Sequence, residues 1–392
     1  MLFLVVCYQV PKIAPLLILA LAPFNYDIST GGPLRFSVGE INLLLAAIVF
    51  VLRVRRVRWG PLTLPAVAYL FCGIISSVMS WRDTSLASLI QMAIYLVLAV
   101  VVFTSFLNDA RDFRWAFYGL VISGLIIACA VIKARSGYVL ELHKNNVGAS
   151  LACCVVVTAE LWFSSTKAVS RNVFAFALLV LVAGLFFSLS RGAWLCATCG
   201  LFVLLMIRRE FGLLVRVCLV MVPVLVLCWS YLPDKGKDYA TDLSEGNWNI
   251  KMRLESIDFA RSEFRKDPLF GVGVGLRKEF DATNVFWLTL AETGVVGLGM
   301  LVWLHVSLIR MGWGLRFQLH PKDPCLSSAA LGVALVSGKF VHGLVDHYWS
   351  RGPLLITWAA AGMATHAYFV VRKRSKFGTS CTQQAKLSEA VS

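Results

Sequence analysis

Residues 86–107 read LASLIQMAIYLVLAVVVFTSFL, a run without a single charge. A helix rises about 1.5 Å per residue, so a run of this length crosses the roughly 30 Å hydrocarbon core of a bilayer. Arg111 and Arg114 follow it at once, as cations do where a membrane helix leaves on the cytoplasmic side. The rest of the chain repeats this pattern. Of 392 residues, 58% are hydrophobic and only 15% are charged, against about 25% charged in an ordinary soluble domain. No soluble fold hides that much apolar surface, which excludes a soluble enzyme along with disordered and collagen-like chains.

About twelve spans are expected: 3–23, 38–52, 62–80, 86–107, 115–132, 147–164, 173–188, 193–207, 214–232, 285–309, 326–345 and 353–371. The fold class is therefore all-α and polytopic. One transmembrane domain covers 1–372, with a long extracytoplasmic loop inserted at 233–284 and a polar tail, expected to be disordered, at 373–392. The first span is not read as a cleavable signal, because Pro11 and Lys12 interrupt it and no small-residue cleavage site follows.

The charge is the second signal. Lys and Arg number 37 against 22 Asp and Glu, for a net +15. Every even-numbered span exits into cations: Arg53, Arg55, Arg56 and Arg58; Arg111 and Arg114; Lys167 and Arg171; Arg208 and Arg209; Arg310, Arg316 and Lys322; Arg372, Lys373, Arg374 and Lys376. The positive-inside rule then puts both termini in the cytoplasm and the 233–284 loop outside. These cations orient the chain, and no nucleic-acid partner is needed to explain them. Most of the eleven cysteines lie in apolar runs and act as small hydrophobes. The Cys196–Cys199 pair lacks the further ligands of a zinc site.

Cations expected on the outer side have no topological reason, and four clusters hold them. Arg191 lies in Ser188-Leu189-Ser190-Arg191-Gly192, a tight connection between two spans; alone it reads as an interfacial, snorkelling arginine. Lys144 lies in His143-Lys144-Asn145-Asn146-Val147-Gly148, where an asparagine can simply cap the next helix. In the outer loop, Leu254, Ile257, Ala260 and Phe264 recur at helical spacing and predict an amphipathic helix over 247–266, with Arg253 near its start and an Asp258–Arg261 pair on its solvated face. Gly271, Gly273 and Gly275 follow and read as a flexible turn rather than a nucleotide fingerprint. Lys339, His342 and Asp346 share a helical face near His347 and Arg351. A Lys339–Asp346 ion pair and satisfied core histidines would explain that face structurally, and a zinc site there is a weak alternative. Asp234, Asp238 and Asp242 lack the calcium-loop pattern and read as solvated.

Taken in order, these pieces resemble the O-antigen ligase and Wzy-type polysaccharide polymerase superfamily over roughly 130–365. His143-Lys144-Asn145 with Gly148 looks like the HKN..G element of exopolysaccharide polymerases, and Ser190-Arg191-Gly192-Ala193-Trp194 resembles the SRGAWL element. Arg253 with Pro268-Leu269-Phe270-Gly271-Val272-Gly273 resembles the external R…PLxGxG segment. Asn284, Phe286 and Leu288 with Glu292-Thr293-Gly294-Val295-Val296-Gly297 resemble HNxxL..LAExGxxG. The chain departs from the family at one place. The histidine that precedes the asparagine, the proposed base of the ligases, is Thr283, so that role does not carry over.

The resemblance implies an inverting glycosyltransferase of the bacterial inner membrane, with its active site facing outward. The donor is a glycan on undecaprenyl pyrophosphate. The acceptor is a hydroxyl of another glycan or of lipid A core. Membrane lipids surround the protein, and neither metal nor other cofactor is required. Arginine forks match phosphate oxygens, so Arg191 and Arg253 suit the pyrophosphate, with Lys144 and Arg351 as helpers and Asn284 and Asp346 in support. The base is expected to be His347 or His143, with His347 preferred because Asp346 and Arg351 accompany it; Asp281 is the fallback. The rival from another class is a transporter or flippase for an anionic lipid or solute. It is disfavoured because the sequence shows neither paired broken helices nor inverted halves.

Overall fold

Inside hydrocarbon a backbone must satisfy its own hydrogen bonds, and the apolar runs do so as helices. The computed structural model describes residues 2–29, 35–53, 57–106, 109–210, 248–280 and 284–391, with isolated positions between 212 and 231. The span expected at 214–232 lies almost wholly outside the described residues; Asp234, Asp238, Asp242, Asp281 and Thr283 lie outside them altogether.

Helices α1 (Leu2–Gln9) and α2 (Ile13–Leu21) replace the first expected span, split at Pro11 and Lys12. A small antiparallel hairpin of β1 (Asp27–Ser29) and β2 (Arg35–Ser37) leads into α3 (Val38–Arg53) and α4 (Thr63–Met79). Then come α5 (Ser85–Ser105), α6 (Ala110–Ala134), α7 (Lys144–Ser164), α8 (Ala168–Phe187) and α9 (Arg191–Arg208). The outer segment holds α10 (Trp248–Lys266) and the single turn α11 (Leu276–Glu279). The chain closes with α12 (Val285–Gln318), α13 (Pro324–Val345) and α14 (Arg351–Val391). Among the described residues, eight helices are long and apolar enough to cross a membrane, α5 to α9 and α12 to α14, while α3 and α4 are shorter apolar helices. The protein is a polytopic, all-α membrane protein.

Helix α13 sits at the centre, packed between α9 and α14, with α7 beside it. Lipid tails are as apolar as leucine, so membrane helices gain from close backbone approach rather than from hydrophobicity. Small residues provide it here. A Cβ on Gly338 would lie 2.6 Å from the Cys196 carbonyl of α9, and one on Gly332 would lie 2.8 Å from the Ala360 carbonyl of α14.

Two polar features inside the bundle were not legible as such. Arg208, counted above as an orienting loop cation, is buried. It donates to both carboxylate oxygens of Glu160, to the Pro321 carbonyl at 2.9 Å and to Ser327 Oγ at 3.1 Å. In α5, residues Ala93–Ala99 widen into a π-helical segment. There the Tyr95 hydroxyl donates to the buried carboxylate of Glu40, which also accepts from the Ser37 amide.

Candidate functional site

The site is framed by a helix that breaks. Within α12, Gly294 adopts φ 65° and ψ −169°, which interrupts the hydrogen-bond ladder in buried surroundings. Backbone freed at such a break must find other partners. The segment just before α11 provides them: the Val295 amide donates to the Pro268 carbonyl at 3.0 Å, and the Val272 amide donates to the Ala291 carbonyl at 2.8 Å. The PLFGVG and ETGVVG elements therefore fit each other.

The glycines read as a flexible turn instead form a fixed strap, because the backbone passes too close to its neighbours for any side chain. A Cβ on Gly273 would sit 2.0 Å from the Ser80 carbonyl, and one on Gly294 would sit 2.1 Å from that of Leu269. Ser76 Oγ and Ser77 Oγ accept from the Gly273 and Val274 amides at 3.0 and 3.2 Å. Glu292 Oε1 accepts from the Gly275 amide at 2.8 Å, and Glu292 Oε2 meets Arg277 at 3.3 Å. Arg82 ties the strap down, donating to the Val272 carbonyl at 2.9 Å and reaching Glu263 of α10 at 3.2 Å.

Helix α10 forms where its apolar spacing predicts, and Arg261 and Asp258 lie 3.4 Å apart on it. From its first turns Arg253 reaches across to Asp346 Oδ2 at 3.5 Å. Asp346 ends α13 and is the hub of the site. Its Oδ1 accepts from Asn145 Nδ2 at 3.1 Å and from the His347 amide at 2.7 Å. One buried carboxylate thus joins α7, α10 and the α13–α14 connection, segments far apart in the chain.

Lys339 makes no ion pair with Asp346; its partners are other groups. The ammonium is fully buried and has three protons, which go to His342 Nδ1 at 3.0 Å, the His347 carbonyl at 2.8 Å and Ser350 Oγ at 2.7 Å. An ammonium can only donate, so His342 Nδ1 accepts and, in a neutral ring, the proton rests on Nε2. That Nε2 is buried without a hydrogen bond and points toward Asp346 Oδ2, 3.9 Å away. His342 is therefore a fixed N–H donor, while Lys339 shapes the 347–350 loop.

Above this layer opens a cavity of about 490 Å³. His143, Asn145, His342, Asp346 and His347 line one side of it; Arg277, Lys278 and Arg351 line another, with Gln91 and Trp349. His143 caps α7, its Nδ1 accepting from the Asn145 amide at 3.3 Å and its Nε2 lying 3.3 Å from the Tyr138 hydroxyl. Arg277 stacks over Trp349, 4.4 Å from the ring centroid. Asn284 stands aside as a brace: its Oδ1 caps α12, and its Nδ2 donates to the Leu344 carbonyl at 2.8 Å. Arg191 and Lys144 open α9 and α7 next to the cavity and are not part of its lining. Their helices meet beneath it. A Cβ on Gly148 would touch that of Ser190 at 2.7 Å, and one on Gly192 would lie 3.0 Å from the His342 ring. Among the described residues no three His, Cys, Asp or Glu side chains converge as a metal site would require.

Residues 174–302 match the O-antigen ligase family. Over those residues, about a third of its length, the chain is similar to that family. No curated protein is similar enough in sequence to be matched. The matched segment runs from α8 into α12 and contains Arg191, Arg253, the glycine strap and the break at Gly294. His143 and Asn145 come from before it, and Asp346, His347 and Arg351 from after it.

Sequence reasoning missed Arg277 and Lys278. They lie in the same loop as Arg253, and nothing in their spacing separates them from its solvated cations. The distinguishing feature is spatial. Loss of water around the Lys278 ammonium at the cavity, and then the charges of Arg277 and Arg351, bring its pKa down to about 8. Glu40 and Glu292 offset part of this, and Arg277 is itself paired with Glu292 at 3.3 Å.

Proposed function

We propose that this membrane glycan ligase or polymerase is an inverting glycosyltransferase. Its donor is a glycan on undecaprenyl pyrophosphate and its acceptor a sugar hydroxyl. One observation carries the proposal: Asn145 and the 346–351 loop line one cavity, and Asp346 there binds both Asn145 and, from outside the lining, Arg253, so three distant parts of the sequence converge on one carboxylate. The acceptor oxygen attacks the anomeric carbon from the face opposite the pyrophosphate, and the glycosidic bond to phosphate breaks. Negative charge grows on the departing diphosphate. Arg253 and Arg351, assisted by Arg191, Lys144 and Lys278, stabilise that charge, a task for which each fixed donor typically supplies on the order of 10²–10³ in rate. His347 takes the acceptor proton. Its backbone is pinned from both sides, its amide to Asp346 and its carbonyl to Lys339, so the ring is held at the cavity. His143 is the second candidate base. His342 is unsuited, because its Nδ1 is occupied by Lys339.

The His143-Lys144-Asn145 element favours a polymerase over a ligase. A transporter would use a broken helix to expose backbone to its cargo, and α12 is broken. Here, though, the chain's own strap takes up the freed groups at Pro268 and Val272, which favours a catalytic scaffold. The test is glycan transfer in membranes from a lipid-linked donor. Arg253→Ala and Arg191→Ala are expected to abolish transfer at normal membrane levels, and His347→Ala to lower it by a factor of about 10²–10⁴. Full activity in both His347→Ala and His143→Ala would remove the base assignment. Substrate movement across the membrane without a transferred product would replace the enzyme reading with the transporter.

A further inference from the structure

A second cavity, of about 570 Å³, opens at the opposite end of the bundle. Residues Asn145 and Asn146 at the start of α7 line the first cavity; Ser164 at its end lines the second. A helix of 21 residues separates them by roughly 30 Å, a bilayer's hydrocarbon thickness. The lower cavity is a cleft between α6 and α8, running from their first turns to Leu125 and Ala177, and its two halves differ in chemistry. One wall is apolar, made by Tyr118 and Ile122 of α6 and by Val173 and Phe174 of α8. The Tyr118 and Phe174 rings stack 6.1 Å apart as its floor, and Ile122 and Val173 are each 59% exposed at its lipid-facing edge. The mouth holds three cations, Arg114, Lys167 and Lys322. Among the described residues none of the three has a carboxylate partner, although Lys12 and Asp112 pair close by at 3.2 Å.

We infer that this cleft is a binding site for an anionic glycerophospholipid of the cytoplasmic leaflet, its phosphate between Arg114, Lys167 and Lys322 and an acyl chain along Tyr118, Ile122 and Val173. Charge complementarity selects this occupant. A zwitterionic headgroup would leave the three cations uncompensated, and a soluble anion would leave the apolar wall bare, whereas basic pockets between membrane helices on this side fit anionic headgroups. The cleft shares no residue with the glycosyltransferase cavity, so the inference stands or falls independently of the proposed reaction.

The full chain, purified in detergent, is examined by native mass spectrometry with dioleoyl phosphatidylglycerol, dioleoyl phosphatidylcholine and glycerol 3-phosphate as probes. Phosphatidylglycerol is expected to stay bound in preference to phosphatidylcholine and to resist displacement by glycerol 3-phosphate. Combining Arg114→Ala, Lys167→Ala and Lys322→Ala should weaken its retention roughly 10- to 100-fold. Val173→Trp, which fills the edge of the cleft without touching a charge, should weaken it as well and keeps the test decisive if the triple variant does not fold. Equal retention of both lipids, retention unaffected by either variant, or displacement by glycerol 3-phosphate would each overturn the inference, the last by showing an anion site with no role for the apolar wall.

Discussion

At the scale of single residues, the candidate site depends on how buried polar groups are satisfied. Lys339 spends each of its three protons on a different acceptor. Lys339→Met would leave His342 Nδ1, the His347 carbonyl and Ser350 Oγ facing an apolar side chain, and an unsatisfied buried group costs about 1–3 kcal/mol. The variant is expected to unfold at clearly lower temperature in detergent and to lose transfer activity, because the loop carrying His347 loses its anchor. Lys339→Arg should not rescue it, since a planar fork cannot reach acceptors arranged around an ammonium. Lys278 gives a pH signature. With its pKa lowered to about 8, it is protonated below that pH and loses its charge as pH rises through it. Binding of an anionic donor should therefore weaken above about pH 8, seen as a rising KM, and Lys278→Arg should move that rise to more alkaline pH; an unchanged profile would remove Lys278 from the donor site. These roles were only half legible in the sequence. The sequence named Arg253 and Asp346 for one site, whereas Asn145 read only as a helix cap or as part of the HKN element, and Asn145 and Asp346 are joined by a contact across 201 residues. No spacing rule links them, and none separates Arg277 from Arg265.

At the scale of elements, the helices were legible because a run that must cross hydrocarbon has one backbone solution, whereas the strap and the broken helix were not. Glycines at 271, 273 and 275 are equally consistent with a loose turn and with a segment too tightly held for a side chain. Only the partners, the carbonyls of Ser80 and Leu269, distinguish the two. The same applies to Gly294, which lies in an apolar run that reads as continuous helix. Gly273→Ala and Gly294→Ala are expected to destabilise the protein by about 2 kcal/mol or more, combining left-handed backbone strain with a backbone clash. Gly299→Ala is the control on the same helix: nothing lies within 4 Å of its added methyl, so its stability should stay near that of the parent. Thermal unfolding of the three variants in detergent checks this. Equal stability in all three would mean that the 268–275 segment is not held as described.

At the scale of the whole molecule, the positive charge divides between the two ends of the bundle. The Arg111, Arg114, Lys167 and Lys322 group gathers where the start of α6 meets the α7–α8 turn, while Arg277, Lys278 and Arg351 line the first cavity and Arg253 reaches its Asp346. Opposite ends of one transmembrane helix face different compartments, so the positive-inside rule and the cavity make a joint claim. If short-loop cations lie inside, the first cavity faces out, where a lipid-linked glycan would be joined. Tyr138 and Thr166, both exposed, flank the two ends of α7 and report on this directly. Tyr138→Cys should be labelled by a membrane-impermeant maleimide added to spheroplasts, above the background of the unsubstituted protein, and Thr166→Cys should not; in inverted vesicles the two should exchange. The opposite pattern would put the first cavity in the cytoplasm, and then a transferase acting on outward-facing lipid-linked glycan could not be retained, whatever the chemistry of His347 and Arg253.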